Sequence, residues 1–363
     1  MLVGLFKLIK APQSFQDASS YTEFAAPFIL QFKTVVRRVF QQYCRSPSYI
    51  YSKAFLSVGA ALFIGLSFLN AKNNQSGLQN QMFGVFIFLT VFSQLVDQIL
   101  PIFVSQRSLY EAREHPAKAY SWVAFLGANI LVEIFYNSIM SIFSFLLWYF
   151  PMGLYRNARE SGAEHSRGAT VFAFIWVFFV FTTTFTFFII AGMDSVDMAG
   201  GVVGLLTILM FTFCGVLAGP GALPRFWIFM YRVNPFTYFV EGFLGTALAN
   251  AKASCDANEY LFFDAPADSD CGDYMKDFID LTGGFLLDPG ATDKCEYCPI
   301  GSTNQFLSYV NIDFANRWRN WGFMWVFIAF NLTAAVFFFW LARVPKKRRR
   351  TYKETYSYRN RLG

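Results

Sequence analysis

The stretch from Gly168 to Met193 reads GATVFAFIWVFFVFTTTFTFFIIAGM, 26 consecutive residues with no Asp, Glu, Lys or Arg. As a helix it is about 39 Å long, more than the roughly 30 Å of a bilayer's hydrocarbon core. Five further stretches have the same character. Ala54 to Ala71 lies uncharged between Lys53 and Lys72, Met82 to Val104 is interrupted only by Asp97, and Trp122 to Phe150 only by Glu133. Met198 to Pro224 and Asn320 to Ala342 carry no charge. Barrel strands would alternate and be about 10 residues long, which none of these does. The sequence predicts an all-α polytopic membrane protein with six transmembrane helices.

Composition supports this reading. Of 363 residues, 55% are apolar and only 15% charged, where a soluble domain carries about 25% charge. Positive charge flanks both ends of the spanning region: Arg37, Arg38, Arg45 and Lys53 before it, Arg343, Lys346, Lys347, Arg348, Arg349 and Arg350 after it. The positive-inside rule then puts both termini in the cytosol and demands an even number of spans. The net charge of +6 is a topology signal, not a nucleic-acid footprint, which would need a folded basic face.

This topology divides the chain. Residues 1–50 form a cytosolic segment with an amphipathic helix, residues 51–224 the first five spans, 225–319 an extracellular part, 320–342 the sixth span and 343–363 a basic cytosolic tail. Leu2 to Ile9 is short, broken by Lys7 and followed by no cleavage motif, so it reads as an interfacial helix and not a secretory signal. From Lys252 to Arg319 stand twelve acidic residues against five basic, a net of −7, which marks a solvated outer lobe. Within it Cys255, Cys271, Cys295 and Cys298 form an even set on the oxidising side, predicting two disulfides with three possible pairings. Zinc is the weaker alternative, because Cys255 and Cys271 do not make the second close pair such a site wants. Asn74-Gln-Ser76 is a glycosylation sequon on the outer face, and Asn331-Leu-Thr333 is one buried in a span and so silent. Ala218-Gly-Pro-Gly-Ala-Leu-Pro224 breaks the fifth helix. The following Arg225 to Asn250 is apolar but holds Arg232, Glu241 and Asn234-Pro235, and reads as a helical hairpin dipping into the outer leaflet.

Catalytic chemistry has little footing. His115 and His165 fall on opposite sides of the membrane, and no Gly-x-x-x-x-Gly-Lys-Ser/Thr phosphate loop or Gly-x-Ser-x-Gly motif occurs. No metal site and no cofactor bound by this chain is expected. Asp97 and Glu133 are the intramembrane acids, which read as an ion-coupling site or, more simply, as helix-packing hydrogen bonds in the absence of a membrane lysine or histidine. The inner loop Gln106-Arg-Ser-Leu-Tyr-Glu-Ala-Arg-Glu114, broken at Pro116, is too charged for a mere connector and suits a short surface helix that docks a cytosolic partner.

Arg45-Ser-Pro-Ser-Tyr-Ile-Tyr-Ser-Lys53, Gly77-Leu-Gln-Asn-Gln81, the inner loop, Gly153-Leu-Tyr-Arg-Asn157, Asn234-Pro-Phe-Thr-Tyr238 and Cys295-Glu-Tyr-Cys298 follow one another in order over about residues 22 to 350. In this set the chain resembles the second transmembrane half of fungal pleiotropic drug resistance transporters, full-length G-type ABC exporters. The resemblance implies an ABC-2, type V exporter-like fold. It also implies an opposing transmembrane half, nucleotide-binding domains that carry ATP and Mg, a plasma-membrane location and hydrophobic small molecules as cargo. It casts Arg107, Tyr110, Glu111, Arg113 and Glu114 as a coupling helix resting on an ATPase domain. Phe92, Leu95, Ile208 and Phe211 become a substrate cavity between helices two and five of opposing halves, and Val216 and Leu217 an outer gate. The chain departs from the family in Glu114-His-Pro-Ala-Lys118, where an arginine more often precedes the proline, and residues 1–21 show no trace of an ATPase domain. A non-transporting fragment and an ion-coupled carrier using Asp97 and Glu133 are the competing expectations.

Overall fold

The computed structural model describes residues 23–266 and 269–344. The Leu2–Ile9 segment and the basic cluster 346–350 lie outside them. Helix α1 (Phe28–Arg45) buries one stripe, Gln31, Val35, Val39 and Tyr43, at the four-residue spacing of an amphipathic helix. Pro47, at the first position of α2 (Pro47–Ser67), turns the chain because proline fits a helix start, where its missing N–H has no intrahelical role. Helices α3 (Gln75–Phe88) and α4 (Val91–Leu109) run on into a π-helical turn over Tyr110–Glu114. They form one apolar unit of 40 residues. Helix α5 (Trp122–Met152) starts at Ser121, whose hydroxyl accepts from the Ala124 N–H at 3.2 Å. It stops at Gly153, held at φ +83°, where a side chain would be strained.

After the short α6 (Tyr155–Glu160) comes α7 (Glu164–Gly192), the most enclosed of the spans. It packs between α5 and α13 (Arg317–Arg343) and is crossed by α10 (Pro235–Leu248). Trp148 stacks on Phe88 at 4.3 Å and on Phe243 at 4.6 Å, and Phe178 lies 4.8 Å from Phe239. Aromatic centroids 4.5–7 Å apart add about 0.5–1.5 kcal/mol per pair beyond area burial. Asn137 Nδ2 donates to Thr183 Oγ1 at 2.5 Å and Trp176 Nε1 to Ser138 Oγ at 2.9 Å, tying α5 to α7. Gly242 sets the α10–α7 distance, since a Cβ there would overlap the Phe174 ring.

Five helical segments among the described residues are long and apolar enough to cross a membrane. The remaining expected span, the fifth, is α8 (Val196–Thr212), of 17 residues, about 25 Å long. It ends twelve residues before the expected Pro224 because Gly215 turns the chain at φ +91°. Two carbonyls freed at its end are taken up locally: Asn234 Nδ2 donates to Met210 O at 2.7 Å and Thr237 Oγ1 to Phe213 O at 3.0 Å. Unsatisfied carbonyls in an apolar setting are costly, so Asn234-Pro-Phe-Thr237 is the device that lets the helix stop there. The hairpin consists of a short exposed limb, α9 (Ile228–Val233), and the buried limb α10.

The lobe between α10 and α13 holds α11 (Cys271–Thr282), α12 (Thr303–Tyr309) and strands β1 (Leu261–Phe263), β2 (Phe285–Leu286) and β3 (Cys295–Cys298). The strands form an antiparallel sheet in the order β1-β3-β2. Cys255 is bonded to Cys298 and Cys271 to Cys295. The Cys295-x-x-Cys298 pair is thus divided between two bridges, which removes both thiolates from metal binding.

Candidate functional site

The helix ends remote from the lobe converge on the segment 107–114. The segment is not a separate surface helix. It prolongs α4 by one wide turn, because nothing breaks the helix before Pro116. Arg107 is buried and donates from Nη1 to Ile190 O at 2.7 Å and from Nη2 to Asp194 O at 2.9 Å, satisfying the carbonyl end of α7. Arg343, at the end of α13, donates to Met193 O at 2.7 Å and Asp194 Oδ1 at 2.6 Å, and lies 3.8 Å from Glu111. From α1, Arg38 forms a two-pronged ion pair with Glu114, and its Nη2 donates to Tyr120 Oη at 2.7 Å. Tyr120 Oη donates in turn to Glu114, and Tyr110 stacks on Phe125 at 4.6 Å. Four helices therefore meet in one polar junction. Glu111 and Arg113 remain exposed on it.

A second cluster lies deeper. Glu133 on α5 pairs with Lys53 on α2, and both side chains are fully buried. Tyr43 Oη donates to Glu133 Oε2 at 2.9 Å, and Tyr49 Oη to Oε1 and Oε2 at 3.0 and 3.1 Å. Three donors from α1 and α2 thus satisfy one carboxylate. The expectation of no membrane lysine is corrected: α2 begins at Pro47, so Lys53 is inside the helix and not on its flank.

Asp97 does not join this cluster. It is exposed on α4, with no ion-pair partner among the described residues. From its N-cap Thr90 onward the exposed positions of that helix are Thr90, Gln94, Asp97, Pro101, Ser105 and Ser108, three and four residues apart and so on a single face, with apolar Leu109 exposed beside them at the last residue. On α5 the exposed positions are instead all apolar, among them Leu131 and Phe143, and on α2 they are apolar from Phe55 to Leu66, with exposed serines only near its two ends, as a surface against lipid requires. A polar stripe on a membrane helix faces protein or water. On α8 the exposed face holds Gly201, Gly204, Leu205 and Ile208, the last 65% accessible.

The expected cavity set is thereby divided. Ile208 is on this open face, but Phe92 and Leu95 are 0% accessible. Phe92 packs on Phe181, Phe185 and Phe236, and Phe211 contacts Phe86 and Phe236. For Phe92 and Leu95 the cavity assignment is corrected, because the apolar side of α4 turns inward against its own half. Val216 and Leu217 lie in the non-helical segment after α8, Leu217 exposed and Val216 partly so.

Residues 30–248 match the family described as ABC-2 type transporter. The chain is 52% identical over 353 residues to ABC multidrug transporter F of Aspergillus fumigatus, covering 96% of this chain and 24% of that protein. It is 53% identical to ABC multidrug transporter atrG of Aspergillus oryzae and to ABC-type transporter oblD of Aspergillus clavatus. Each alignment covers 92% of this chain, and 22% and 23% of those proteins respectively. The chain belongs to the ABC-2 type transporter family. It spans about a quarter of the length of these curated relatives.

The ABC-2 match runs from α1 through α10 and so holds the deeper cluster, the α4 stripe and the junction apart from Arg343. The lobe follows it and is bound back to α3. Asn74 is the N-cap of α3: its Oδ1 accepts from Gly77 N at 2.8 Å and its Nδ2 donates to Asp256 at 3.1 Å. The side chain is buried. The amide nitrogen on which the glycosylation expectation rests thus makes one hydrogen bond, to the lobe. Glu259 completes the cap. Its carboxylate accepts from Gln75 N, Ser76 N, Ser76 Oγ and Asp256 N at 2.6–3.2 Å. Slight burial opposes its charge, but these four donors hold the carboxyl below its ordinary range. Neither Lys53 nor Glu259 stands out in the sequence as a site residue. A lysine six residues into an apolar helix started by proline is the signal that points to the first.

Proposed function

We propose that this chain forms one transmembrane half of an ATP-driven exporter of hydrophobic small molecules, with the transport path running along the polar stripe of α4 and the Ile208 face of α8. A second half closes the path. Nucleotide-binding domains carried elsewhere hold ATP and Mg and push on the exposed Glu111 and Arg113 of the junction. Both termini lie in the cytosol, and the membrane is the plasma membrane. The observation that supports this reading is the contrast between the exposed face of α4, mostly polar from Thr90 to Ser108, and those of α5 and the middle of α2, apolar throughout. A surface with both polar groups and an aliphatic rim suits varied apolar cargo, because burial is non-directional and a few polar groups suffice to orient. An ion-coupled carrier fits less well, since Glu133 is already neutralised by Lys53 and satisfied by two tyrosines.

Single cysteines at Thr90, Gln94, Asp97 and Ser105, set against Phe55 and Phe143, test this in the full-length exporter. A water-soluble thiol reagent reacts with the first group and blocks efflux of an apolar dye, and leaves the second unmodified. Equal reactivity of the two groups would overturn the reading. Glu111→Lys or Arg113→Glu abolishes ATP-dependent efflux while the protein still reaches the membrane.

A further inference from the structure

A cavity of about 560 Å³ opens between α7, α8, α13 and the α9–α10 turn. Phe185, Phe188, Met210, Met230 and Phe330 are among its walls. It belongs to one half alone and is bounded by the side of α8 that holds Met210, not by the exposed Ile208. The volume is in the range of about 300–1,000 Å³ that takes drug-sized ligands.

One wall residue is out of character. Asn331 is 3% accessible, and its amide nitrogen has no hydrogen-bond partner among the described residues. It stands near the middle of α13, about 20 Å from either end, in an apolar stretch of the helix. An unsatisfied amide at that depth costs several kcal/mol unless something in the cavity accepts from it. The other asparagine at the wall, Asn234, is already occupied by Met210 O and Phe236 N.

We propose that this cavity binds a drug-sized apolar molecule bearing one hydrogen-bond acceptor, with the Asn331 amide as the donor that orients it. The site lies within a single half and stands whether or not the path between halves is as proposed above. An aromatic ketone has the required chemistry, and benzophenone adds a photoreactive carbonyl that inserts into nearby C–H bonds, favouring those beside a thioether. Membranes containing the full-length protein are illuminated with benzophenone and the labelled peptides mapped by mass spectrometry. Labelling is expected at Met210 and Met230 and to saturate. Fluorenone competes for it, and fluorene, the same frame without the oxygen, competes about three- to tenfold less well, the worth of one net hydrogen bond. Asn331→Leu erases that difference, and Leu209→Trp, which fills the cavity, removes the label. Labelling that fails to saturate, or fluorene matching fluorenone on the unmodified protein, would overturn the proposal without recourse to any variant.

Discussion

Removing Glu133 from the Lys53–Glu133 pair is expected to damage the protein more than removing Lys53, and removing both to cost well short of the sum of the two. The two side chains are fully buried and joined to each other. Losing one partner of such a pair costs about 3–5 kcal/mol, whereas replacing both by apolar groups is often neutral. The structure makes the two single losses unequal. In Lys53→Met the carboxylate keeps the Tyr43 and Tyr49 hydroxyls, each a charge-assisted bond worth about 1.5–3 kcal/mol, so the cost falls near the lower bound. In Glu133→Leu the ammonium and both tyrosines lose their acceptor together, and the cost reaches or exceeds the upper bound. The double variant Lys53→Met/Glu133→Leu strands only the tyrosines, leaving about 1–3 kcal/mol for each hydroxyl that finds no new partner. Thermal unfolding of the detergent-purified protein, followed by the fraction that remains monodisperse, orders the variants. The expected order of loss is Glu133→Leu, then the double variant or Lys53→Met, with the double well short of the sum. Additive losses, or a double variant worse than Glu133→Leu, would refute the reasoning.

Three further outcomes are expected. Reversing Arg38→Glu or Glu114→Arg alone disrupts the junction and reduces efflux, and the double reversal restores much of it. Two singles as active as the double would show that the pair is inert. Glu259→Gln lowers the unfolding temperature at neutral pH. Because the folded carboxyl sits below its ordinary value, its contribution is present above the unfolded value of about 4.3 and is lost as pH falls through the folded one. The gap between variant and parent therefore closes on acidification, and a gap constant with pH counts against the cap. In the lobe, the Cys255–Cys298 bridge spans 43 residues and Cys271–Cys295 spans 24. Chain entropy makes these worth about 4 and about 3.5 kcal/mol. Cys255→Ser/Cys298→Ser should therefore loosen the lobe to limited proteolysis slightly more than Cys271→Ser/Cys295→Ser.

The spans were legible because lipid leaves one criterion, an uncharged run of sufficient length. What that criterion missed follows from its physics. It has no means of ending a helix inside an apolar run, so α8 was read through Gly215 to Pro224, and only the Asn234 and Thr237 side chains show how the end is satisfied. It treats a lysine as a boundary, so Lys53 was set outside the helix that buries it. The cavity residues failed for a different reason. Phe92 and Leu95 rest on the family resemblance, and in a chain with 46 phenylalanines an aromatic side chain says little by itself about where a path runs. The polar residues at 90, 94, 97, 105 and 108 carry more information, because each is costly against lipid and their three- and four-residue spacing places them together.

The arrangement also explains how a push at one end could reach the stripe without deforming the bundle. Arg107 is one residue before Ser108 and fastens α4 to the carbonyl end of α7, while Arg38 fastens the following turn to α1. Tyr43, one and a half turns further along α1, is bonded to Glu133, and Lys53 brings α2 into the same cluster. A displacement of Glu111 and Arg113 therefore cannot be absorbed by α4 alone: it moves α1, α2, α4 and α7 as a unit, since close-packed interiors shift between arrangements more readily than they stretch. Breaking the inner junction should uncouple efflux and leave the fold intact, because Arg38 and Glu114 are partly solvated. Breaking the deeper cluster should destroy both. A variant of the Arg38–Glu114 pair that unfolds like Glu133→Leu would mean that the junction is merely part of the core, and that the push enters the bundle elsewhere.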